Sequence, residues 1–217
     1  MIAFKFLARG AVGPFTGFAW PTPVASTPGA WVEVPPEKLP DRGIHGCLVE
    51  HLPYWLDDEL WEVELDRLVR GTPTQLIASR GRLLQRVAGW TPKLADEFGE
   101  ACAIKARDTA AGLLMRNGRE KDANQLLACP NVAELQRAAE AMSAASNADF
   151  FANIAGYAAD AATLANIHHV GSVSYVAAEL SRVASSSIEA AISEREWQGR
   201  WIAERLQLAE ADLRASV

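Results

Sequence analysis

Within seven residues the chain carries His45, Cys47, Glu50 and His51, and shortly after them a Glu-x-Glu pair, Glu62 and Glu64. Imidazole and thiolate both suit a borderline-soft ion such as zinc, which makes His45, Cys47 and His51 candidate metal ligands. Their spacing is poor for that role. No C-x-x-C or H-x3-H pair elsewhere supplies the remaining ligands, so Cys102 or His168 has to be recruited from a distant segment. A second chemistry makes Cys47 a nucleophile with His45 or His51 as its base, since a nearby imidazole lowers a thiol's pKa. Strand alternation puts His45 and Cys47 on one face about 7 Å apart along the backbone, so contact depends on side-chain direction. The plainer alternative is a buried cysteine acting as a small hydrophobe, with His45 bonded to a neighbouring loop. Glu62 and Glu64 are candidate acid-base groups, giving His45, Cys47, Glu62 and Glu64 as the catalytic set. Glu-x-Glu pairs also occur in enzymes that transfer ADP-ribose from NAD, but no Ser-Thr-Ser segment or His…Tyr…Glu series accompanies this one. No cofactor is predicted.

Positioning these residues requires a sheet. Leu60 to Leu65 alternates cleanly, with Trp61, Val63 and Leu65 facing one way and the two glutamates the other, the pattern of an antiparallel strand with one wet face. Ile2 to Leu7, Trp31 to Val34, Gly43 to Val49, Gln75 to Ala78 and Arg82 to Trp90 read as further strands, the last also readable as a short helix, and Pro53 to Leu56 as a turn or single helical turn. Near residue 90 the texture changes. Most of the 11 prolines and five of the seven tryptophans lie before it, whereas alanine dominates after it. Proline interrupts helices and alanine favours them, so residues 1–90 are expected to form a strand-rich domain and 91–217 a helical bundle. Helices are predicted over Leu94 to Met115, Glu120 to Leu127, Val132 to Ala145, Ala148 to Ile167, Val173 to Ala184 and Ile188 to about Leu213. His168 and His169 fall between two of them, where imidazole commonly caps a helix end. The fold class expected is α+β, a small, mainly antiparallel sheet followed by an Ala-rich helical bundle.

The 217 residues carry a net charge of −6 and a pI near 5.3, and no basic stretch is present, which argues against a nucleic-acid partner. A local basic patch would have to draw on Arg80, Arg82 and Arg86. Three scattered cysteines, Cys47, Cys102 and Cys129, do not make a disulfide framework and suit a reducing cytoplasm. The opening MIAFKFLARGAVGPF is interrupted by Lys5, Arg9 and Gly10, unlike a secretory signal, and no segment has the ~20 consecutive apolar residues that span a bilayer. Phosphate-binding glycine patterns, a G-x-S-x-G elbow and an H-E-x-x-H helix are absent from the sequence.

The motif Gly43-Ile44-His45-Gly46-Cys47, the segment LPYWLDDELWEVEL at 52–65, the opening AFKFL…GPFTGF and the closing EREWQGRWIAERLQL together resemble a family of uncharacterised bacterial proteins. More remotely, the glycine, His45, Cys47 and the Glu-Val-Glu strand look like a short module of bacterial and phage proteins. The resemblance implies a bacterial source and carries over no activity. Three functions fit the residues: a soluble binding or interaction protein that takes a protein partner or a small molecule, with a ligand site between sheet and helices and homo-oligomerisation compatible; a small-molecule enzyme using His45 and Cys47; and a metal-binding protein.

Overall fold

The computed structural model describes residues 1–35, 43–145 and 149–208. The chain is α+β, and its contacts divide it into two compact units, Met1–Pro92 together with Gly199–Val217, and Lys93–Gln198.

In the first unit, β1 (Ile2–Leu7), β2 (Val32–Glu33), β3 (Ile44–Gly46), β4 (Glu59–Thr72) and β5 (Gln75–Arg86) form one antiparallel sheet. β4 is central between β1 and β5, and β2 and β3 both pair with the other edge of β5, at Arg80–Gly81 and at Leu76–Ala78. Cys47, just after β3, then exchanges both backbone hydrogen bonds with Phe4 of β1, each 2.8 Å, so the sheet curls until its edges meet. Register shifts between Glu62 and Val63 and between Leu68 and Arg70 supply bends, as bulges do. Trp61, Val63 and Leu65 form the buried face that alternation foretells, packed with Ala3, Leu7, Ile44, Ala78 and Leu83.

Three local expectations change. The β4 strand runs on from Leu65 to Thr72, because β5 continues to pair with it as far as Gln75. The two strands expected at Gln75 to Ala78 and Arg82 to Trp90 are one, β5, which passes straight through Gly81. A Cβ there would stand 2.9 Å from Ile44 Cγ2 and 3.3 Å from Leu65 Cδ2, so this glycine answers to close packing and does not break the strand. The strand expected over Gly43 to Val49 is confined to Ile44–Gly46 and followed by a 3-10 helix over Val49–Tyr54.

The helices follow alanine content and polar caps. They are α1 (Pro92–Arg116), α2 (Glu120–Leu127), α3 (Val132–Ala145), α4 (Phe150–Asn166), α5 (Val170–Ser185) and α6 (Ile188–Leu206). Asp149 Oδ1 accepts from Ala152 N at 2.7 Å to start α4, and Asn131 Oδ1 accepts from Glu134 N at 2.9 Å to start α3. Gly118 follows α1 at φ 72°. His168 takes the same left-handed conformation after α4, at φ 60°, with its Nδ1 2.7 Å from Asp96 Oδ1. α3 packs along α4 and α4 along α5, with small alanine side chains such as Ala155, Ala158 and Ala162 fully buried. The expected helix start at Ala148 and end near Leu213 lie outside the described residues.

The α6 helix belongs to both units, its last turns to the first. A Cβ on Gly199 would stand 2.8 Å from the backbone oxygen of Glu50, so this end of α6 lies against the 3-10 helix with no room for a methyl group. In an exposed helix Gly to Ala stabilises by about 1 kcal/mol. Here Gly199→Ala is expected to destabilise by about 1–3 kcal/mol, the cost of overpacking against backbone. A thermal melt in which the variant is more stable than the parent would contradict this packing.

Candidate functional site

Alternation along β1 places Ala3, Lys5 and Leu7 on one face, and Ala3 and Leu7 belong to the buried core. A lysine therefore occupies a core-facing position directly opposite Trp61 of β4. It is accommodated because the sheet opens there into a cleft of about 980 Å3 formed wholly within the first unit. Lys5 Nζ donates to His45 O at 2.8 Å and lies 5.3 Å from the centre of the Trp20 ring. Among the described residues no carboxylate pairs with it. Burial pulls its pKa down from 10.5 to about 8, with Cys47 acting weakly in the opposite sense.

The loop after β1 builds one wall. Gly13 N donates to Phe18 O and Gly17 N to Gly13 O, both at 2.8 Å, and Trp20 N donates to Ala11 O at 2.9 Å. This compact loop leaves Phe15 88 % and Phe18 44 % exposed at the cleft mouth, while Trp20 is buried beneath Phe18. Its start is fixed by acid groups at the head of β4. Asp58 Oδ2 accepts from Arg9 N at 3.1 Å, and Glu59 accepts from Gly10 N at 3.2 Å, Ala11 N at 3.0 Å and the Trp61 indole at 3.1 Å. Gly10 and Ala11 both have positive φ, 81° and 57°, which turns successive N–H groups toward the carboxylate as an anion nest. Burial alone would raise the pKa of Glu59; these donors and Arg86 at 3.5 Å outweigh it and hold the carboxyl below its ordinary value.

The opposite wall carries His45 and Gln75. His45 Nδ1 lies 2.8 Å from Gln75 Oε1, within hydrogen-bond distance. Trp55, whose indole donates to Thr74 O at 2.9 Å, completes this side. Cys47 also borders the cleft but is only 2 % exposed. Burial pushes its thiol up to about 12, against the pull of Lys5 and with a further push from Glu50. At neutral pH it is a thiol and not a thiolate, and we expect iodoacetamide to alkylate it at least ~100-fold more slowly than an unhindered cysteine. Mass mapping of the alkylated chain measures this, and labelling at the ordinary rate would restore Cys47 as a nucleophile.

The remaining sequence candidates lie elsewhere. Glu62 and Glu64 form no part of the cleft wall, and Glu64 is held by Arg82 through two contacts of 2.7 Å. Arg80 pairs with Glu33 at 2.9 Å and Arg86 with Glu59, so each member of the basic cluster faces a carboxylate. His51 is on the 3-10 helix, its ring edge-on to Tyr54 with centroids 6.3 Å apart, and Glu50 beside it is exposed. Among the described residues no three His, Cys, Asp or Glu side chains converge as a metal site would require.

Sequence reasoning overlooked two groups. Lys5 was hidden by its place in an apolar strand; its alternation with Ala3 and Leu7 was the available signal. In the helical unit, Ser174 Oγ donates to Gln198 Oε1 at 2.7 Å and accepts from Arg195, and Gln198 Nε2 donates to Ser174 O at 3.1 Å. Glu194 beside them is buried, its pKa raised by burial against the nearby Lys105 ammonium at 3.1 Å. Glu194, Arg195 and Gln198 fall on neighbouring turns of α6 and Ser174 on α5, and nothing local distinguishes either stretch from a solvated helix face.

Compared with protein-family models, curated proteins and solved structures, the chain matches none. Among the described residues no helix is long and apolar enough to cross a membrane.

Proposed function

We propose that this is a soluble, cytoplasmic bacterial protein that binds a small molecule in the cleft of its strand-rich unit. The observation that carries the reading is the combination of an aromatic cleft with a few convergent polar groups, the composition usual for small-molecule sites. Its volume is within the ~300–1,000 Å3 common for such sites. Exposed Phe15 and Phe18 at the mouth supply apolar surface that a planar or aromatic ligand would cover, and Lys5, His45 and Gln75 supply orientation. An ammonium with no carboxylate partner among the described residues is matched by a ligand that brings an electron-rich oxygen to it. The resemblance to uncharacterised bacterial proteins in the opening AFKFL…GPFTGF, in Gly43 to Cys47 and in residues 52–65 fits a module built around this cleft.

Saturation-transfer NMR with a library of small aromatic acids, alcohols and aldehydes tests the reading on the full chain. Hits are expected to weaken at least ~10-fold in Lys5→Met and Phe18→Ser, a loss of about 1.4 kcal/mol or more. A library without hits, or hits indifferent to both substitutions, would remove the cleft as the binding site.

A further inference from the structure

Resting on the cleft as a binding site, we propose that Lys5 is a covalent docking group that holds an aldehyde or ketone ligand as a reversible imine. Its amine is tethered in a cleft lined by Phe18, Trp20 and Trp55, and among the described residues its partners are a backbone carbonyl and a ring face. The other described lysines differ. Lys93 is 87 % exposed beside Glu97, Lys105 is bound to Glu194 and lies over Trp197, and Lys121 is exposed. Lys5 alone among the described lysines combines an enclosed apolar setting with no carboxylate of the described residues at its ammonium, the setting that favours the neutral, nucleophilic amine.

The reaction needs no partner beyond the ligand. The nitrogen lone pair attacks the carbonyl carbon, the carbonyl oxygen takes up a proton, and the carbinolamine loses that oxygen as water. Overall the ammonium and carbonyl give a protonated imine and one water, with no change in oxidation state. The protonated imine keeps a single N–H, sufficient for the hydrogen bond that Nζ now makes to His45 O at 2.8 Å. Aromatic walls suit a carbonyl conjugated to a ring or alkene, because the flat adduct can stack between them. Among the described residues, the titratable and charged groups that line the cleft with the amine are His45 of β3, Cys47 just after it and Glu33 of β2, the last already paired with Arg80. An amine whose pKa is near 8 remains partly neutral at physiological pH.

Cinnamaldehyde with cyanoborohydride at neutral pH, followed by peptide mapping of the full chain, provides the test, and cinnamyl alcohol serves as the ligand without a carbonyl. Reduced adduct is expected at Lys5 at least ~10-fold faster than at Lys93, with tandem spectra separating Lys5 from the Met1 amine. Lys5→Arg keeps the positive charge and is expected to abolish that adduct, and binding of the alcohol is read by NMR on the parent chain. Modification of Lys5 no faster than Lys93 overturns the proposal. If the alcohol still binds in that case, the covalent step fails and the binding cleft stands. If the alcohol also fails to bind, both readings fall.

Discussion

Glu59→Gln is expected to lower unfolding stability at neutral pH by about 3 kcal/mol, because the carboxylate is only 6 % exposed and receives two backbone N–H groups, an indole N–H and an arginine. An amide of the same shape offers one oxygen where the carboxylate offers two. Its NH2 then faces donors, leaving buried N–H groups without acceptors. The sign of the pH dependence follows from the lowered folded pKa. In the unfolded chain the group titrates at its ordinary value, so the folded state binds the proton less readily. The stabilisation is complete above the unfolded pKa and is lost as pH falls through the folded one. Urea unfolding of parent and variant across the acid range measures both effects, and the difference between them should shrink as pH falls. A constant difference would mean that the substitution acts through packing alone.

Lys5→Met moves in the opposite direction. Lowering a lysine pKa from 10.5 to about 8 corresponds to roughly 3 kcal/mol of destabilisation wherever the ammonium is charged in both states. Methionine fills similar space without a charge and gives up the hydrogen bond to His45 O, worth about 1 kcal/mol. The net expected gain is about 2 kcal/mol at pH 7, read as a higher urea midpoint. Because the unfolded chain holds the lysine proton between the folded and unfolded pKa values, parent stability from this group rises across that interval. The variant's advantage should therefore decline from pH 8 and be gone by about 10.5. Cys47, whose thiol titrates only near 12 when folded, makes both proteins lose stability above its unfolded value of 9. Comparing the two proteins at each pH removes most of that shared effect. A destabilised Lys5→Met would mean that the amine is better paired than its surroundings indicate.

The strand face Trp61-Val63-Leu65, the switch to helices near Pro92 and the spans Glu120–Leu127 and Val132–Ala145 were legible because each depends on local pattern. Curling of the sheet was not. It depends on Cys47 pairing with Phe4, a contact between residues far apart in sequence that no periodicity reports. The continuity of β5 through Gly81 was hidden for the same reason, since the glycine answers to Ile44 across the sheet. The candidate site was legible in part: His45 does border the cleft, whereas Lys5 became visible only once β1 had a buried face. Glu62 and Glu64 drew notice through their spacing, but Glu64's partner, Arg82, is set by strand register.

The place of Gly199 against Glu50 also bears on the order of events during synthesis. The strand-rich unit is discontinuous, its last piece separated from the rest by the whole helical unit. At a translation speed of roughly 5–20 residues per second, the 3-10 helix and Gly89, whose added Cβ would meet Leu206 at 2.8 Å, wait seconds for their covering turn. The nascent sheet must persist through that interval with part of its apolar surface open to water. Its early survival thus falls to contacts made within the first 92 residues, above all the carboxylate nest at Glu59 and the seam between Phe4 and Cys47.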